Sequence, residues 1–134
     1  MNNSIKSILL NAKNIAIIGA SSNPNKDSFI VMKYLQEKNY KVIPINSKKS
    51  NRIILGEKVY KNINEVSFDI DIIDIFRPSS EIFDLVNNIA NKKVKTVWLQ
   101  LEIFCSESEK KLNQLGINFI QNKCTKIEYE KLIT

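Results

Sequence analysis

The sequence predicts a doubly wound, mostly parallel α/β sheet of about five strands with helices on both faces, and three observations carry that expectation. Apolar-rich segments, unbroken at 15–18 and nearly so at 70–76, 96–99 and 117–120, read as strands covered on both sides. Between them, apolar residues recur at three- and four-residue spacing, as on one face of a helix. Turn residues mark the junctions: Gly19 follows the first run, Arg77 and Pro78 follow the second, and Gly116 precedes the last.

The elements follow in order. Ile5, Ile8, Leu9 and Ala12 predict a short helix over 3–13, then strand one runs over 15–18. After the Gly19 turn, Phe29, Ile30, Met32, Tyr34 and Leu35 give a helix over 27–38 a broad apolar face, and Asn39 ends it in the left-handed conformation. Strand two, 41–45, completes a βαβ unit of the length a crossover requires. Pro44 lacks a ladder donor, so either the strand ends there or that nitrogen faces away from its neighbour. Gly56 with 58–60 suggests a minor strand, and 62–66 a single helical turn. The long strand 70–76 leads to Pro78, which suits the first turn of a helix striped by Ile82, Phe83, Leu85, Val86, Ile89 and Ala90. Strand 96–99 follows. Ser106 with Glu109 forms a capping box for a helix that Gly116 terminates, 117–120 is the last strand, and Thr125 with Glu128 caps a final helix to about Ile133.

With 134 residues the chain reads as one domain, 1–134, able to bury a core without disulfide or metal. It has no run of about 20 apolar residues, and residues 1–12 lack the apolar stretch of a signal peptide. The expectation is a soluble cytoplasmic protein that does not engage a membrane. Cys105 and Cys124 read as two buried thiols rather than a bridge in such a compartment. The chain has no histidine, which excludes the usual Cys/His zinc spacings and every catalytic arrangement that needs an imidazole. Its net charge of +6 is almost all scattered lysine, with only Arg52 and Arg77 able to make bidentate contacts, so a nucleic-acid partner is not expected. An anionic small molecule remains compatible with that charge.

Ligands of doubly wound sheets sit over the carboxyl ends of the strands where the strand order reverses, which directs attention to the loops 19–26, 46–50, 76–79 and 100–105. In the first, strand, turn and helix bring backbone amides and a helix dipole together as a phosphate would need. Gly19 permits close approach, Ser21 and Ser22 add hydroxyls, and Lys26 adds charge. The competing reading is that Gly19 only closes the turn. At the end of strand two, where a dinucleotide fold would carry an acid for NAD, the chain has Asn46, Ser47, Lys48 and Lys49. A basic loop favours a phosphorylated ribose, as in coenzyme A or NADP; the plainer reading is a solvated lysine pair. Arg77 either grips a phosphate or pairs with Glu81. Trp98 reads as core, and Gln100 as the better candidate at that strand end.

Six stretches in order resemble a known family: 15–21 (IAIIGAS), 40–46 (YKVIPIN), 54–56 (ILG), 74–77 (DIFR), 97–100 (VWLQ) and 122–128 (NKCTKIE). The resemblance, over nearly the whole chain, is to the small stand-alone CoA-binding proteins, Rossmann-like domains related to the CoA-binding domain of the succinyl-CoA synthetase alpha subunit. It implies non-catalytic binding of coenzyme A or an acyl-CoA. Gly19, Ala20, Ser21, Ser22, Lys26 and Ser28 would lie near the phosphates, Asn46 and Lys48 beside the adenosine, Phe76 and Arg77 along the cleft, and Gln100 and Ile103 toward the pantetheine arm. Pro44 is then expected in strand two. Where the family has Trp-x-Gln-x-Gly-Ile, this chain carries Glu102 in place of the glycine, which would set a carboxylate beside the ligand. The synthetases use a phosphorylated histidine that this chain lacks, so catalysis is not expected. The alternatives are an NADP-dependent or other nucleotide-using enzyme, and a module that docks a second copy or an acyl-CoA enzyme.

Overall fold

Alternation along the strands splits the interior into two layers. Ala16, Ile18, Ile73, Ile75, Val97 and Leu99 pack on one face of the sheet, and Ile15, Ile17, Val42, Ile72 and Trp98 pack on the other. The computed structural model describes residues 4–89 and 92–133. In chain order it has α1 (Ile5–Asn11), β1 (Asn14–Ile18), α2 (Asp27–Glu37), β2 (Lys41–Ile45), β3 (Ile53–Ile54), β4 (Glu57–Lys58), a 3₁₀ turn (Ile63–Glu65), β5 (Ile70–Ile75), α3 (Ser79–Ile89), β6 (Val94–Leu99), α4 (Ser106–Gln114), β7 (Asn118–Ile120) and α5 (Thr125–Leu132). Five of the strands form one parallel sheet in the order β2-β1-β5-β6-β7, the expected doubly wound arrangement. Helices α1, α2 and α5 share one layer, α3 and α4 the other. The chain leaves β1 toward β2 and then returns to the opposite side of β1 as β5, so the strand order reverses between β1 and β5.

Two helices end as their sequences demand. At α2, Tyr40 N–H reaches Leu35 O and Asn39 N–H reaches Gln36 O, with Asn39 at φ 72°. At α4, Ile117 N–H reaches Leu112 O and Gly116 N–H reaches Asn113 O, with Gly116 at φ 74°. Pro44 sits inside β2, which continues to Ile45. Its carbonyl accepts from Tyr60 on the side away from β1, and within a strand a residue's nitrogen points the same way as its carbonyl. The missing donor therefore faces away from the ladder.

Several expectations are corrected. The minor strand at 58–60 is instead the hairpin β3/β4, outside the main sheet, with Tyr60 in a single parallel bridge to Ile45. Pro78 precedes α3 rather than entering it. In α2, Val31 is buried and Ile30 is exposed; in α3, Phe83 is exposed, because the buried stripe follows Ile82, Val86 and Ile89. Neither capping box forms. Ser106 and Thr125 are the first helical residues, Cys105 and Cys124 occupy the cap positions, and Thr125 turns its hydroxyl to Asp74 instead. Asn3, at the start of the expected first helix, and Ala90, in the expected α3 stripe, lie outside the described residues. Among the described residues, no helix is long and apolar enough to cross a membrane.

Candidate functional site

The reversal between β1 and β5 opens a cleft of about 600 Å³ at the carboxyl ends of the strands. Gly19 stands at its root with φ 89°, and a Cβ built there would lie 2.7 Å from Phe76 O and 3.1 Å from Arg77 Cδ. Only glycine lets the two loops meet so closely. The turn does not offer all its amides to a ligand, however. Gly19 and Ala20 N–H groups both donate to Ile45 O, at 3.0 and 3.2 Å, and Asn46 Nδ2 donates to Ala20 O at 2.8 Å. These bonds lock the first turn to the end of β2. The open donors lie further on: α2 starts at Asp27 with no side-chain cap, and Asp27 and Ser28 of that first turn line the cleft.

Of the residues singled out from sequence, Gly19, Ala20, Ser21, Lys26, Ser28, Asn46, Phe76, Arg77, Gln100 and Ile103 line this cleft together. Ser22 is exposed and does not line it, because the chain has already turned outward and Ser21 Oγ accepts from Asn23 N–H at 3.0 Å. Lys48 lies across Arg77 in an adjoining hollow of about 340 Å³, lined also by Lys61, Asn62, Asn64, Leu85 and Asn88. Its loop neighbour Lys49 reaches both spaces. Sequence reasoning left Asp27, Leu101, Cys124, Lys126 and Ile127 out of the cleft wall, where the structure puts them. The 122–128 stretch was visible as a motif, but its side of the cleft follows only from the placement of α5 against α2. Four cations, Lys26, Lys49, Arg77 and Lys126, stand around the cleft against one lining carboxylate, Asp27. Such a balance favours a multiply charged anion.

Arg77 also makes the pair expected of it: Nε and Nη2 donate to the two Glu81 oxygens at 3.0 and 2.7 Å. This contact raises the guanidinium pKa and lowers that of Glu81. Both side chains are nearly half exposed, so the pair holds Arg77 in place without binding it tightly. Trp98 is core, with its indole N–H on Lys123 O at 2.7 Å.

Gln100 is 5% exposed and is tied beneath the cleft to Asp74 of β5, which was not among the residues singled out from sequence. Asp74 is fully buried, and burial pushes its pKa up to about 7 against the opposing pull of hydrogen bonds from Gln100 and Thr125. Cys105 and Cys124 are free thiols, each half-buried; burial pushes the Cys124 thiol up. Glu102 keeps the left-handed backbone, φ 66°, and its N–H donates to Asn122 Oδ1 at 2.8 Å. Its side chain is exposed and does not line the cleft.

The chain and its fold are similar to known proteins. The sequence model of a family described as the CoA binding domain matches residues 13–130. A solved Thermus thermophilus protein, cell-free ID.343, superposes with a TM-score of 0.94 at 31% identity, covering 99% of this chain and all of the other. The Bacillus subtilis protein YneT is 29% identical over 93% of this chain and 91% of its own length. The alpha subunit of the Pyrococcus furiosus ADP-forming acetate–CoA ligase I is 36% identical over 66% of this chain, which matches 20% of that subunit.

Proposed function

Since the chain belongs to the CoA binding domain family, we propose that it binds coenzyme A or an acyl-CoA in this cleft and does not itself turn the ligand over. The observation that carries the reading is the cleft at the strand-order reversal, rooted at Gly19 and ringed by four cations. On this reading Lys26, Lys49 and Arg77 take the phosphates. The adenosine lies toward Asn46 and the adjoining basic hollow, and the pantetheine arm toward Gln100 and Ile103. The absence of any histidine supports a binding rather than a catalytic role. The ligase subunit, in which a matching region is one part of a longer chain, supports a role that delivers or senses coenzyme A for a separate enzyme in the cytoplasm.

Ligand that binds only the folded state raises the melting temperature. Free coenzyme A at a hundred times its dissociation constant stabilises the fold by about 2.7 kcal/mol. For a chain of this size that is a rise of roughly 5–10 °C, readable by differential scanning fluorimetry. No shift at millimolar coenzyme A would sink the proposal. The second reading, an NADP-using enzyme, is favoured by the same basic loop at Lys48 and Lys49; tighter binding of NADP than of coenzyme A in parallel titrations would select it.

A further inference from the structure

Beneath the cleft, three side chains from three elements close a hydrogen-bonded ring. Gln100 Nε2, at the end of β6, donates to Asp74 Oδ1 of β5 and, at 3.1 Å, to Thr125 Oγ1 at the start of α5. Thr125 Oγ1 donates in turn to Asp74 Oδ2 at 2.9 Å. Asp74 and Thr125 are fully buried, at 0% exposure, and Gln100 retains 5%. A primary amide carries two N–H donors, and both of those on Gln100 are used inside the ring. Among the described residues, none donates a hydrogen bond to its carbonyl Oε1. Among the described residues, no fully buried side-chain nitrogen or oxygen lacks a hydrogen bond. Oε1 therefore keeps open space beside it, and the space that Gln100 borders is the cleft.

The ring also fixes which end of the amide is presented. Both Asp74 oxygens accept in this ring, as in the ionised form that prevails above pH 7, and turning the amide over would then set Oε1 against them and leave two N–H groups facing the cleft. Leaving buried partners unpaired costs more than any single bond contributes. We propose that Asp74 and Thr125 are positioning residues that hold Gln100 with its carbonyl oxygen toward the cleft, as the acceptor for an N–H donor on the ligand. The inference rests on the coenzyme A reading, where that donor is a secondary amide of the pantetheine arm. It also sets the ligand's direction. A carbonyl oxygen repels phosphate oxygens, so the phosphates belong at the Lys49 and Arg77 end and the amide arm at the Gln100 end.

The test is isothermal titration of the full chain with two ligands: coenzyme A, and adenosine 3′,5′-bisphosphate, which lacks the pantetheine arm. Asp74→Asn offers its own N–H groups and lets the amide turn; Thr125→Val removes one acceptor; Gln100→Leu removes the amide. Each variant is expected to weaken coenzyme A about five- to tenfold, the worth of one hydrogen bond. The bisphosphate should change less than about twofold. Asp74→Asn added to Gln100→Leu should cost nothing further, since the two act through one contact. Equal losses for both ligands, or none for coenzyme A, would overturn the positioning role. Should Asp74→Asn fail to fold, Thr125→Val carries the same comparison. Wild-type protein that binds neither ligand would refute the coenzyme A reading itself, a result visible before any variant is made.

Discussion

Two left-handed residues stand on either side of β5 at the carboxyl end of the sheet, and they hold that conformation for different reasons. Gly19, at φ 89°, is forced: the carbonyl of Phe76 occupies the place where a Cβ would go. Glu102, at φ 66°, is tolerated: its side chain points into solvent, and the Asn122 side chain holds its N–H. A turn that touches a neighbouring loop constrains residue type as well as backbone, whereas an exposed turn constrains backbone alone. The wall of the cleft at Gly19 is thus rigid in sequence. The wall at Glu102 accepts a side chain because that side chain leaves the cleft.

The largest effect is expected at Gly19. Gly19→Ala should cost about 2–4 kcal/mol, from the left-handed backbone and the contact with Phe76 O together, and should abolish ligand stabilisation. Chemical denaturation measures the first and thermal shift with coenzyme A the second; a loss below about 1 kcal/mol would mean the loops part easily.

Between the two walls, Asp74 offers an intermediate effect with a definite sign. Its pKa is about 7 in the fold, against about 3.9 in an unfolded chain. The folded state thus holds the proton more tightly, and the stability this group contributes is fully present below about pH 4 and falls as the pH rises to about 7. Asp74→Asn removes this component, so the stability difference between variant and wild type should shift in the variant's favour across that window. Urea titrations at pH 4.5, 6 and 7.5 would reveal it, and a constant difference would place the carboxyl at an ordinary pKa.

The smallest effect is expected at Glu102→Gly. Relief of the left-handed backbone should stabilise by less than about 1 kcal/mol, and coenzyme A affinity should stay within roughly twofold. A larger gain in affinity would show that the carboxylate reaches the ligand.

Much of the fold was legible because strands covered on both faces are largely apolar. Residues 15–18 and 70–75 could hardly be anything else, and Asn39 and Gly116 announced helix ends that the backbone then formed. The turn at Gly19 and the strand end at Arg77 were legible for the same local reason. Asp74 was not: with Asp71 it is one of two carboxyls in an otherwise apolar strand, and nothing local tells them apart. Its partners lie 26 and 51 positions away, and only the parallel register and the seating of α5 bring them together. The capping patterns at Ser106 and Thr125 misled because spacing alone does not say whether a hydroxyl is just outside the helix or just inside it. Thr125 is inside, and a buried carboxylate claims its hydroxyl. Phe83 misled because a wide apolar stripe gives no sign of where the neighbouring layer stops.

Pro44 has a consequence at the rim of the sheet. β2 is an outer strand, and an outer strand with free donors and acceptors is a template on which another chain can crystallise into continuous sheet. Here one donor is deleted by the proline ring. The adjacent Pro44 carbonyl and Asn46 N–H are already engaged by Tyr60. A concentrated population of these molecules therefore has little to grip along this side, and colloidal stability is written into the same residue that first looked out of place in a strand.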